Sequence, residues 1–309
     1  MAGELVTGPG LIQWGSLVLG RRQATGTVTP YRWRSLTGWE ETPTLDSGTV
    51  NRSQQHGAWP GQLLAQPRTV TVEGLMVRTA GGSIGAAVRT LSAACTIAQD
   101  EQPLVIWLDD RGPLLLYARL LRRHLPVDPS WQLGWAAGGA LQWQATDPRR
   151  YQLTEQTAAT ALPAPESGLD WGSPETGLAW GSPETGLVWG TPGSTGDIAA
   201  TNSGDAEVHP VIEIRGPVVT PSVAMAGGSG LVLEYDITLG ATDVLVVDTW
   251  AGTVTLGGQS RIGTATLRSA PEGAFTLPPG ATTTLSFRAA PGSVDPAASA
   301  TVRWRSAYW

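Results

Sequence analysis

The 309 residues carry 20 basic and 26 acidic side chains, for a net charge of −6, and every basic residue is arginine. That balance argues against sequence-specific nucleic-acid recognition, because a phosphate-binding surface needs a basic excess to displace counterions. A single cysteine excludes an intrachain disulfide, and no apolar run approaches the ~20 residues of a membrane span; with no basic stretch and apolar run in the opening MAGELVTGPG, a soluble product made in the cytoplasm, without membrane insertion, is expected.

Abundant glycine (39) and proline (23) on a Val, Thr and Leu background predict a mainly β chain of short strands and turns. In chain order, Leu11–Leu19 is expected to be a strand ended by Gly20. Thr27–Ser35 alternates, with Pro30 confining its start to a sheet edge. Residues 38–65 (GWEETPTLDSG, then SQQHGAWPGQ) are loop-rich. Arg68–Val77 alternates again, with Gly74 as a bulge. Residues 83–99 form the one predicted helix: Ser83 is placed to cap it, and Ile84, Val88, Leu91, Cys95 and Ala98 share one stripe. Cys95 on that stripe reads as a buried thiol, since no cation nearby in sequence would activate it. Pro103–Leu108 is a buried strand followed by the turn Asp109-Asp110-Arg111-Gly112. Leu114–Arg123 fits strand or helix by periodicity and is assigned to strand, because the turn before it suits a hairpin. Trp131–Thr146 alternates and runs into Asp147-Pro148-Arg149-Arg150-Tyr151.

Residues 154–205 differ in kind and are expected to link an N-terminal β-sandwich domain with one helix (1–153) to a C-terminal β-sandwich or jelly roll (206–309). They hold three nine-residue units, starting at Gly168, Gly177 and Gly186, in which Trp171, Trp180 and Trp189 recur in register. Gly and Ser/Thr-Pro in each unit forbid a helix. Three bulky indoles in a linker need covering. The segment is therefore read as packed on its own chain, as a strap over a neighbouring subunit, or as a ligand-binding stretch; these residues are the candidate docking positions. Past it, Val211–Arg215, Leu231–Leu239, Asp243–Asp248, Gly252–Leu256, Ala265–Leu267, Thr282–Phe287 and Ala300–Trp304 predict the second domain's strands.

Chemistry is sparse. His56, His124 and His209 lie in different segments, none in a nucleophile elbow. There is no metal-ligand spacing. A lysine-type phosphate loop is impossible without lysine. Glu175 and Glu184 recur only with the repeat, in Gly/Pro turns that scaffold catalysis poorly. No catalytic residue, metal or cofactor is expected. The 14 tryptophans, against 5 tyrosines and 2 phenylalanines, serve as core filler, as subunit contacts, or as both.

Taken in order, Val72-Glu73-Gly74-Leu75, the helix, Asp147-Pro148-Arg149-Arg150-Tyr151, the Gly/Trp repeat, Ala206–Gly216 (AEVHPVIEIRG) and Asp243–Gly257 (DVLVVDTWAGTVTLG) resemble the distal tail (Dit-like) proteins of bacteriophages with long non-contractile tails, especially those infecting GC-rich actinobacteria. The resemblance implies a non-enzymatic protein at the virion tail tip. Six copies would form a ring through the N-terminal domain, contacting the tail tube protein, the tail hub and the tape measure protein, with a galectin- or carbohydrate-module-like C-terminal domain projecting. The alternative it leaves open is a carbohydrate-binding tail accessory protein or adhesin that docks host cell-wall glycan.

Overall fold

The computed structural model describes residues 2–20, 29–79, 84–165, 193–227 and 230–309. Its chain falls into two units, Met1–Thr154 with Ala307–Trp309, and Glu155–Ser306. Both are built of antiparallel strands, as the composition predicts.

The first unit is a ten-stranded sheet in the order Leu17–Leu19, Leu11–Trp14, Gln102–Trp107, Leu114–His124, Trp135–Ala145, Arg68–Arg78, Tyr31–Arg32. Ser35–Thr37 also pairs with Arg68–Arg78, and Arg150–Gln152 pairs with Leu114–His124 and with Ala307–Tyr308. The long Leu114–His124 strand serves two neighbours. Leu114–Ala118 faces Gln102–Ile106, whereas Arg119–His124 faces Ala140–Gln144 after a register shift between Leu120 and Arg122. Alternation puts Val70, Val72, Leu75, Val77, Leu141 and Trp143 inside, all fully buried. Gly74, at φ +63°, is the predicted bulge: Leu75 lies opposite Gly139 and Glu73 opposite Ala140.

The helix, Ile84–Ala94, lies on this core through Ile84, Ala87 and Leu91. It is shorter than the expected 83–99. Ser83 lies outside the described residues, and at the other end Trp14 Nε1 donates to the Ala94 carbonyl at 3.0 Å, taking an acceptor that continued helix would use. Beyond it the β-branched Thr96-Ile97 pair leaves the helix, and Cys95 is buried at its end. The Trp14 ring meets that of Trp143, centroids 5.9 Å apart, so these indoles fill the core.

The second unit stacks a six-stranded sheet (Gln156–Ala161, Ser299–Trp304, Val211–Arg215, Val244–Asp248, Thr253–Leu256, Gln259–Ser260) and a four-stranded one (Asp197–Asn202, Ala281–Arg288, Ser222–Ala226, Val232–Glu234). Ile212, Ile214, Leu245, Val247 and Val302 from the first sheet and Val223, Leu233, Leu285 and Phe287 from the second are buried, the inward alternation of a β-sandwich.

Several boundaries differ from the sequence reading. Leu11–Leu19 is a hairpin, turned at Gly15 with φ +57° and paired Ile12 to Leu19. Leu231–Leu239 divides between two sheets, and Ala265 makes only a single bridge, to Tyr235. The expected linker, 154–205, contains strands at both ends: Gln156–Ala161 pairs with Ser299–Trp304, and Asp197–Asn202 with Ala281–Arg288. Their small or polar residues (QTAATA, DIAATN) hide the strand signal: Gln156–Ala161 has no buried residue, and Asp197–Asn202 buries Ile198, Ala200 and Asn202, of which only Ile198 is large and apolar. The C-terminal boundary also moves, since Ala307–Trp309 joins the first unit.

Candidate functional site: an exposed arm and its polar root

The loop-rich stretch at 38–65 is a two-stranded arm. Leu45–Asp46 pairs with Leu64–Ala65, and Val50–Asn51 with Ala58–Trp59. Gly61 is needed where the strands approach, because a Cβ there would sit 2.3 Å from the Gly48 carbonyl oxygen. From residue 44 to residue 64 no residue is buried. Val50, Trp59 and Leu63 are 64%, 61% and 61% exposed, and Leu45 and Leu64 are also open. The indole of Trp59 is shielded by Arg52, whose guanidinium carbon lies 4.1 Å from the ring centroid. A two-stranded ribbon is marginal in water alone, and Val50 and Trp59, direct partners across it, leave an uncovered apolar pair of the kind that marks an interaction site.

The root of the arm is ordered by guanidinium groups. Arg68, 2% exposed, donates from Nε to the Pro148 carbonyl (2.6 Å) and from Nη1 to the carbonyls of Gly38 (2.9 Å), Trp39 (3.0 Å) and Glu41 (2.7 Å). It thereby ties the strand that leaves the arm to the one that enters it. Burial first, and the charge of Arg150 second, lower its pKa to about 10, so it stays charged at neutral pH. Gly38 has φ +77°, and a Cβ there would lie 1.9 Å from the Thr69 carbonyl oxygen, so only glycine fits.

Glu40 is the anionic centre of the root. It receives Arg111 through Nη1 and Nη2, both at 3.1 Å, and Arg150 Nη1 at 2.9 Å. Partial burial raises its pKa, but Arg111 and Arg150 outweigh that and hold the carboxyl below its usual range. Arg150 Nη2 also donates to the Trp309 carbonyl, and its guanidinium lies 5.6 Å from the ring of buried Trp39. Asp147 accepts from Arg149 Nε (2.8 Å) and Nη2 (3.1 Å) and from the Tyr151 hydroxyl; burial, then the Asp147 charge, push the Tyr151 pKa up. The Asp147-Pro148-Arg149-Arg150-Tyr151 segment, noticed in sequence only as an ordered landmark, thus holds the arm's root. Sequence reasoning missed Trp39, Glu40, Arg68 and Arg111. The available signal was the apolar set Leu45, Val50, Trp59, Leu63 and Leu64 in a stretch otherwise polar and turn-rich.

The candidate positions Trp171, Trp180 and Trp189, with Glu175 and Glu184, lie outside the described residues. The structure keeps the histidines apart: His56 is at the arm's tip, His124 ends the strand shared by two neighbours, and His209 is in the second unit. Among the described residues no group of three or more His, Cys, Asp or Glu side chains is placed to hold a metal ion. Asp109-Asp110 forms the predicted turn, with Asp109 held by Arg111 at 2.6 Å. Burial pushes the Cys95 thiol up to about 11, against an opposing pull from Arg123, as suits an inert core cysteine. Among the described residues of the second unit one large aromatic stands out: Trp250, 55% exposed, caps the turn between Val244–Asp248 and Thr253–Leu256, with the His209 ring edge-on at 5.1 Å.

No family model and no curated protein matches the chain. Solved structures do. The chain is similar to the Dit protein of phage SPP1, a paradigm of the hub adsorption apparatus in phages infecting Gram-positive bacteria, at 14% identity and a TM-score of 0.58, over 90% of this chain and 94% of that one. A chain of the phage P2 baseplate in its activated conformation with Ca aligns over 95% of this chain and 96% of its own, at 11% identity and a TM-score of 0.46. The likeness to the SPP1 protein shows a shared fold that runs through both units.

Proposed function

We propose that this chain is a structural subunit of a bacteriophage tail tip, a Dit-like distal tail protein. Copies associate through the first unit into a hexameric ring at the end of the tail tube. The ring joins the tube to the tail hub and receptor-binding parts and contacts the end of the tape measure protein. The observation that carries the reading is the arm: a ribbon without a buried residue from 44 to 64, displaying Val50, Trp59, Leu63 and Leu64, on a root locked by buried arginines. A rigid base beneath an uncovered apolar ribbon is the build of a self-association element. An arm that docks on a different patch of the next copy makes a heterologous contact, which closes into a ring when the rotation between copies divides a full turn. The shared fold with the SPP1 protein supports the same reading.

Mass photometry and negative-stain electron microscopy of the full chain test it. Closed six-membered rings at about 10 μM, dissociating on dilution, are expected. A chain that stays monomeric at that concentration refutes the proposal.

A second reading, attachment to host cell-wall glycan through the second unit, is favoured by Trp250, since an exposed indole at a turn suits stacking on a sugar ring. Quenching of tryptophan fluorescence by purified wall glycan, lost in Trp250→Ala, would support it; equal quenching in the variant would remove Trp250 from any such role.

A further inference from the structure

We infer that Arg150 is a positioning residue for the arm, and that it makes the arm's setting depend on the return of residues 307–309 to the first unit. Its side chain is 6% exposed, and a buried guanidinium must find acceptors. Two acceptors hold it. One is Glu40, at the root of the arm. The other is the Trp309 carbonyl, which the pairing of Arg150 with Tyr308 and Tyr151 with Ala307 brings into place. Arg150 Nε is buried without a partner, so among the described residues the group has no further hold beyond the face of Trp39.

The same side chain therefore touches both residues that precede the arm, Trp39 and Glu40, and the strand that closes the first unit. When 307–309 are undocked, Arg150 keeps only half-exposed Glu40 as an acceptor. It also lies beside Arg68, whose like charge repels it. The favourable outcome is for the Arg150 guanidinium to turn to solvent, which leaves Glu40 to Arg111 alone and uncovers the Trp39 ring. Residues 307–309 are synthesised after the entire second unit. The arm consequently takes its set direction only in a chain whose second unit is complete, and partly made chains are kept out of assembly. What the setting is for rests on the self-association reading; the setting itself does not.

Hydrogen–deuterium exchange of the full-length chain, diluted to the monomer, tests this with Arg150→Gln and Ala307→Pro. The second variant blocks the return strand and leaves every side chain of the root in place. In both, amides of residues 38–46 and 62–66 should exchange about tenfold faster, while Gln102–Trp107, Val211–Arg215 and Ala281–Arg288 keep their protection. Glu40→Gln should give the same pattern more weakly, because the amide oxygen still accepts from Arg150 while Arg111 keeps Asp109. Unchanged exchange at the root, or a uniform rise across the first unit that marks only lost stability, overturns the inference. If Arg150→Gln fails to fold, Ala307→Pro decides alone. Self-association is followed separately at higher concentration: a chain that never associates refutes the ring, and the exchange pattern still decides the latch.

Discussion

Replacing Trp59 by alanine separates association from folding. An indole side chain offers ~200 Å² for burial, and Trp59 is 61% exposed, so about 120 Å² remains for a partner to cover. At ~25 cal/mol per Å² that surface is worth about 3 kcal/mol, or about a hundredfold in association constant. Within the folded chain the substitution removes chiefly the contact with Arg52, worth about 0.5–1 kcal/mol at an exposed position. Sedimentation velocity over a dilution series should show the Trp59→Ala protein dissociating at about a hundredfold higher concentration, while its thermal unfolding stays within a few degrees of wild type. An unchanged association constant would refute the argument that this ribbon is an interface. A large fall in melting temperature would show that Trp59 serves the fold instead.

Arg68→Met keeps the bulk but leaves the carbonyls of Pro148, Gly38, Trp39 and Glu41 without their donor; a loss of about 3–5 kcal/mol in denaturant unfolding of the first unit is expected, and a loss under about 1 kcal/mol would show that other contacts hold the root. Asn202 is fully buried, donates to the Ala206 carbonyl at 2.7 Å and accepts from the Gly204 amide at 3.0 Å. Asn202→Ala should therefore cost the second unit about 2–3 kcal/mol and leave the unfolding of the first unchanged. The Cys95 thiol, pushed up to about 11, is neutral at pH 8 in the folded chain. Its alkylation should be about a hundredfold slower than that of a free thiol there and should rise toward pH 11; a rate equal to that of the denatured protein would contradict the burial.

The sequence revealed the strands whose two faces differ. Arg68–Arg78 and Val211–Arg215 bury alternate residues and were legible from periodicity alone. Elements with few large apolar residues were not. Gln156–Ala161 buries none of its residues, Asp197–Asn202 buries alternate ones but only Ile198 among them is large and apolar, and the arm's four short strands bury nothing, so no hydrophobic pattern announces them. Of the predicted stripe, Ile84, Val88 and Leu91 lie on the helix and face the core, whereas Cys95 and Ala98 lie beyond its end, which is set by the Trp14 indole, a contact 80 residues away in sequence. The root of the arm was out of reach for the same reason. Arg68 meets Pro148, and Arg150 meets Glu40, across separations that only tertiary structure closes. The Asp147-Pro148-Arg149-Arg150-Tyr151 run could be seen, but its work could not.

The second unit is an insertion. It leaves the first after Thr154 and hands the chain back at Ala307, and Tyr151 and Ala307 are direct partners on neighbouring antiparallel strands, a spacing of about 5 Å. To the host unit, everything between those strands is formally one long hairpin loop, and loops tolerate wide changes of length at little entropic cost. A socket of this geometry accepts any cargo whose two ends lie close together. Selection is then free to exchange the inserted unit wholesale while the surrounding sheet, its core and its arm stay as they are.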